Sequence, residues 1–139
     1  MAMQPSSLRV LTVDDEKLMR AHVRNLLREM GIEDVVEAES GKTALDILLD
    51  ADQPFPNLII TDLHMDDMDG IEFCNAVRRT EMLSNVGVPI IMLTAGDDPF
   101  ILNVTEQVGA LYVAKKPIGL EELKGLIEKH VSVSFDPVS

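Results

Sequence analysis

The chain has 139 residues, 24 acidic and 12 basic side chains, and a formal net charge of −12. That length suits a single compact domain, and 46% hydrophobic residues mark a globular chain and not a disordered one. The acid excess argues against nucleic acid or an anionic membrane surface as the main partner, because both require clustered Lys and Arg. The lone cysteine, Cys74, excludes an internal disulfide framework and fits a reducing compartment. No apolar run approaches the roughly 20 residues of a membrane span, and Met1 to Ser7 lacks the apolar core of a signal peptide. The expected location is the cytosol, with no membrane partner.

Residues 1–7 read as an extended or disordered tail, residues 8–131 as one domain, and residues 132–139 as a tail or the start of a linker. Within the domain, apolar runs alternate with helical patterns. The first run, Leu8 to Val13, ends in Asp14-Asp15-Glu16. Met19, Val23, Leu26, Leu27 and Met30 then recur on one helical face, stopped by Gly31. A short run, Val35 to Ala38, precedes a helix with Ser40 as its N-cap and Ala44, Leu45, Leu48 and Leu49 as its stripe. Leu58 to Thr61 is the third strand and ends at Asp62; Ile71, Phe73, Cys74 and Val77 follow as a helix. Pro89 to Thr94 is the fourth strand. Asp98-Pro99 opens a helix that continues through Ile101, Val104 and Val108 to Gly109. Leu111 to Ala114 is the fifth strand, and Leu120, Leu123, Leu126, Ile127 and Val131 mark the last helix.

Strands apolar on both faces and alternating with helices predict an α/β fold, a parallel doubly wound sheet with helices on both faces. Ligands of such sheets bind beyond the carboxyl ends of the strands. Those ends carry Asp14-Asp15, Asp62, Thr94 and Lys116. Each has an ordinary explanation: an Asp after a strand often caps a helix, Thr is a strand former, and Lys is a solvated tip. Their coincidence at one sheet edge is what chance explains poorly.

Three carboxylates at close quarters repel, so the site should bind a cation or raise a pKa. Oxygen ligands without His or Cys select a hard ion, Mg²⁺ or Mn²⁺, over zinc. A carboxylate beside such an ion is a possible nucleophile for a phosphoryl group. Lys116 and Thr94 supply donors for the phosphoryl oxygens. Adjacent Asp14 and Asp15 point in different directions and suit metal binding. Asp62, alone on a central strand and facing Thr94, is the better nucleophile.

Val13-Asp14-Asp15-Glu16, Asp62 to Gly70, Thr94-Ala95 and Lys116-Pro117 together resemble the signature of bacterial two-component response-regulator receiver domains, over about Leu8 to Val131. The resemblance implies the flavodoxin-like, CheY-like sheet of five parallel strands in order 2-1-3-4-5. It implies a signalling domain and not an enzyme in the usual sense, with Asp62 taking phosphate from a histidine kinase, a histidine phosphotransfer protein or a small phosphodonor. Mg²⁺ would be held by Asp15, Asp62 and the main-chain carbonyl of His64, with Asp14 holding a metal-bound water. Lys116 would bridge to the phosphoryl group and join Pro117 through a cis peptide bond. Thr94 would bond the phosphate and shift a pre-existing equilibrium. Output would pass to a downstream protein through residues 98–131, with no direct nucleic-acid contact.

Three departures from that pattern stand out. Met65-Asp66 stands where the family has Met-Pro; His64 and Gly96 occupy the two positions that tune phosphoryl lifetime; and Val113 stands where the family usually has a Tyr or Phe. Tyr112, one residue early, should face the other side of its strand. Two competing readings are a haloacid-dehalogenase-like phosphatase and a degenerate receiver that works without phosphate. The first requires Asp-x-Asp on the first strand, and here the pair is adjacent. An EF-hand fails at Met65 and Ala76, and no glycine-rich loop follows the first strand. Cys74, Met19 and Met30 read as core, His22 and His130 as surface, and Lys115 as a solvated neighbour. No DNA-binding or catalytic pattern follows Val131, so the expectation is a stand-alone receiver or the N-terminal domain of a longer protein.

Overall fold

A computed structural model describes residues 3–65, 68–80, 82–83, 85–95, 112–131, 133 and 135. Five parallel strands, β1 (Arg9–Val13), β2 (Asp34–Ala38), β3 (Leu58–Asp62), β4 (Ile90–Thr94) and β5 (Tyr112–Lys115), form one sheet in the order β2-β1-β3-β4-β5. The described helices are α1 (Lys17–Glu29), α2 (Gly41–Leu49), α3 (Gly70–Arg79) and α4 (Leu120–His130). The doubly wound sheet expected from the sequence is therefore observed. The helix expected from Asp98 to Gly109 lies outside the described residues.

Alternation along the strands divides the core in two. Val10, Ile60, Leu93 and Ala114 face α1 and α4 and pack with Val23, Leu27, Leu123 and Ile127. Leu11, Ile59, Met92 and Val113 face α2 and α3 and pack with Ala44, Leu48, Phe73 and Val77. β3 and β4 are buried along their whole length; Leu58–Ile60 and Ile90–Leu93 are continuously apolar to suit, and only the carboxyl-end residues Thr61, Asp62 and Thr94 are polar. None of the described helices is long and apolar enough to cross a membrane.

Local chemistry sets the helix ends. Gly31 takes φ +89°; its N–H donates to the Arg28 carbonyl at 3.0 Å, and the Ile32 N–H reaches the Leu27 carbonyl at 2.9 Å. That paired closure needs a left-handed residue, which glycine supplies without a Cβ penalty. The Ser40 hydroxyl accepts from the Thr43 N–H at 3.1 Å, as expected of an N-cap. Asp69 caps α3 in the same way, accepting from the Glu72 N–H at 2.8 Å. Sequence alone does not mark it as the cap, because Asp66 and Asp67 stand just before it. At the chain ends, Pro5–Ser7 forms a 3-10 turn and Met3 makes an isolated parallel bridge with Val133.

Strand register aligns the carboxyl ends. Val13 lies opposite both Ala38 and Thr61, Asp62 opposite Leu93, and Thr94 opposite Lys115. The first residues beyond β1 and β5 therefore meet the last residues of β3 and β4 along one edge. Gly70 brings α3 up to that edge: its N–H donates to the Leu63 carbonyl at 2.7 Å. A Cβ there would lie 2.4 Å from the Asp62 carbonyl oxygen and 2.9 Å from the Leu63 Cα. Both are backbone atoms that cannot turn aside. Gly70→Ala is expected to cost about 1–3 kcal/mol, read as a lower urea midpoint at unchanged m-value.

Candidate functional site

β1 ends and hands the chain directly to Asp14, whose N–H is still in the sheet, donating to the Ala38 carbonyl at 3.1 Å. The Asp14 carboxylate is buried and accepts from the Glu16 N–H at 2.8 Å, which turns the chain toward α1. Asp62 closes β3 with only 3% of its surface exposed. Asp15 and Glu16 are exposed. One carboxylate oxygen from each of Asp14, Asp15, Glu16 and Asp62 falls within 4.8 Å of the others. Asp14, Asp15 and Asp62, expected to converge from their places at the strand ends, do so. Glu16 joins them; its place beside Asp14-Asp15 was the available signal, but a residue at the start of a helix carries many ordinary explanations.

Lys116 enters from the far side of the sheet. Its ammonium lies 3.0 Å from Asp62 Oδ1, 3.2 Å from Asp14 Oδ2 and 3.8 Å from Glu16 Oε1, with the side chain 9% exposed. Its N–H donates to the Thr94 carbonyl at 2.7 Å, which ties the β5 exit to the end of β4, and the Lys116–Pro117 peptide bond is cis. Thr94 is buried at the same edge.

Burial pushes the Asp62 carboxyl above its ordinary pKa; the Lys116 hydrogen bond opposes this, and the neighbouring Asp14 charge adds to it. The His64 main chain also bonds the Asp62 carboxylate and favours its charged form. For Lys116, burial works against the charge, but bonds to Asp62 and Asp14 outweigh it and hold the ammonium above its usual value. Two buried carboxylates thus share one ammonium, and two exposed carboxylates stand at the mouth. Such an all-oxygen donor set fits a hard divalent cation, with Asp14, Asp15, Glu16 and Asp62 in reach of it.

A family model for the response regulator receiver domain matches residues 10–128. The chain belongs to that family. The receiver is 34% identical over 138 residues to Protein PilG of Pseudomonas aeruginosa, spanning 99% of this chain and 97% of that one. It is 35% identical over 122 residues to the Chemotaxis protein CheY of the same organism, spanning 88% and 94%. The crystallised chemotaxis protein CheY4 of Vibrio cholerae superposes with a TM-score of 0.77 at 32% identity, covering 89% of this chain and 98% of that one. The fold is therefore CheY-like, and the chain is a response-regulator receiver domain.

Val113 is half-buried, lies opposite Met92 and packs on the α2–α3 side of the sheet. Tyr112 points the other way, 40% exposed, with its ring 6.5 Å from that of His130 on α4. The turn to the other face of the strand expected for Tyr112 is thus observed. His64 is exposed, while Asp66 and Gly96 lie outside the described residues. The surface reading of His22 needs correction. It is half-buried, and its Nε2 lies 2.9 Å from the Ile118 carbonyl, bridging α1 to the loop after Lys116. Its apolar helix neighbours had hidden that contact, made across 96 residues of chain.

Proposed function

We propose that this receiver is phosphorylated on Asp62 in a Mg²⁺-dependent reaction and that the phosphoryl group switches its binding to a downstream protein. The observation that carries the reading is the Lys116 ammonium between buried Asp62 and Asp14, with exposed Asp15 beside them. An Asp62 carboxylate oxygen attacks phosphorus. A P–O bond to Asp62 forms as the bond to the donor's leaving group breaks, and that group departs with its electron pair. The donor is the phosphohistidine of a kinase or phosphotransfer protein, or a small acyl phosphate. Asp15, Asp62 and the His64 carbonyl would hold Mg²⁺, or Mn²⁺ in its place, with Asp14 acting through a water. The bound cation would neutralise charge on the phosphoryl oxygens.

This chain's residues do the rest. Lys116 transfers one hydrogen bond from the Asp62 carboxylate to a phosphoryl oxygen, and its charge stays within the site. The Thr94 hydroxyl donates to another phosphoryl oxygen, which draws the end of β4 toward Asp62 and favours one of two surface arrangements. The readout face is residues 98–131, of which β5 and α4 are described. The acid-rich chain suits a protein partner and not nucleic acid.

Incubation with acetyl phosphate and Mg²⁺ tests the proposal. Wild type is expected to take up about one phosphoryl group per chain and Asp62→Ala none. Stoichiometric uptake by Asp62→Ala would remove Asp62 as the acceptor.

A further inference from the structure

Asp14 is held from an unexpected direction. Arg20, one turn into α1, reaches back so that its Nη1 donates to the Asp14 carbonyl at 2.6 Å. Its Nε donates to Glu37 Oε1 on β2 at 3.3 Å, and the other Glu37 oxygen is taken by Arg24. The Arg20 side chain is 15% exposed and that of Glu37 27%, so these bonds are partly shielded from water. Arg20 also lines, with Asp14 and Asp62, one small pocket. The Asp14 main chain is therefore gripped at both ends by β2: its N–H by the Ala38 carbonyl, its carbonyl by an arginine that Glu37 orients.

The Asp14 carbonyl and the Asp15 N–H share one rigid peptide plane. Holding that carbonyl fixes the peptide plane from which Asp15 departs, so of the backbone torsions only the Asp15 φ is left to set the direction of its side chain. We infer that Arg20, oriented by Glu37, is a positioning residue for the cation site: it sets the Asp14–Asp15 peptide so that both carboxylates meet Asp62. This inference rests on the function proposed above. Groups that orient metal ligands from behind typically alter affinity by about 10–100-fold when removed.

A guanidinium near a cation site also acts through space, and with the opposite sign. As a bare positive charge, Arg20 would repel Mg²⁺, and neutralising it would tighten binding. Positioning predicts that the same change weakens binding. Arg20→Lys separates the two effects without altering charge, because a single ammonium lacks the planar fork that reaches Asp14 and Glu37 together.

The test is calorimetric titration of the metal-free chain with Mg²⁺, beside the melting temperature without metal. Arg20→Lys and Arg20→Gln are both expected to bind Mg²⁺ about tenfold more weakly than wild type while remaining folded at the titration temperature. Arg20→Lys binding Mg²⁺ as tightly as wild type overturns the inference, whatever its melting temperature, as does tighter binding by Arg20→Gln. If Arg20→Gln does not fold, Arg20→Lys alone decides. A wild-type chain that binds no Mg²⁺ fails at the earlier step, the proposed function, and takes this inference with it.

Discussion

Lys116→Met is expected to destabilise the metal-free protein by about 3–5 kcal/mol near neutral pH, the range for removing one partner of a buried ion pair. The ammonium is shared by two carboxylates whose side chains are 6% and 4% exposed. Without it, Asp14 and Asp62 face each other in a low dielectric with no cation between them. The loss should depend on pH in a definite direction. Asp62 already binds its proton more tightly in the native site than its ordinary value of 3.8 implies, and losing the Lys116 bond raises that affinity further. The native state then holds more protons than the unfolded chain between the ordinary carboxylate value and the raised one, so stability falls as pH rises through that interval. Urea denaturation of the variant and wild type at several pH values checks this: the gap should narrow toward acid. Mg²⁺ should also narrow it, by placing charge where the ammonium was. A gap independent of both pH and Mg²⁺ would mean that Lys116 acts by packing alone.

Asp62→Asn should move the metal-free protein the other way. Burial, with the Asp14 charge adding to it, makes the Asp62 carboxyl costlier to ionise in the native state than in the unfolded chain, and asparagine removes that cost. Its side-chain oxygen still accepts from Lys116, and Lys116 keeps Asp14 as its ion partner. The melting temperature without metal is expected to rise by a few degrees. The same substitution should abolish phosphoryl uptake and remove most of the stabilisation that Mg²⁺ confers on wild type. A more stable but unresponsive protein is the signature of a site held in tension for its chemistry. A variant that melts below wild type, or that is still stabilised by Mg²⁺ as wild type is, would contradict this.

The reasons some features were legible in the sequence and others were not are physical. The parallel sheet followed from β3 and β4, whose unbroken apolar runs only a sheet covered on both faces can bury. From the sheet came the site, because strand ends in such folds converge, and Asp14, Asp62, Thr94 and Lys116 each stand at one. Gly31 and Ser40 were legible because a left-handed closure and an N-cap are local requirements. What stayed hidden depends on contacts between distant segments. Lys116 was expected at the phosphoryl group, and its pairing with Asp14 was not foreseen. The reach of Arg20 to the Asp14 carbonyl and of His22 to Ile118 carries no sequence pattern, since each ends on a backbone oxygen. Gly70 closes the Asp62-to-Gly70 motif, but the need for glycine there comes from the Asp62 and Leu63 backbone lying where a Cβ would be.

Among the four clustered carboxylates, Asp62 is the one proposed to accept phosphate. The direct measurement is to phosphorylate the wild-type chain with acetyl phosphate and Mg²⁺, trap the acyl phosphate by borohydride reduction, and locate the modified residue by peptide mass spectrometry. Modification at Asp62, absent when Mg²⁺ is chelated, is the predicted result. Modification at Asp14, Asp15 or Glu16 in its place, or none at all, would contradict it.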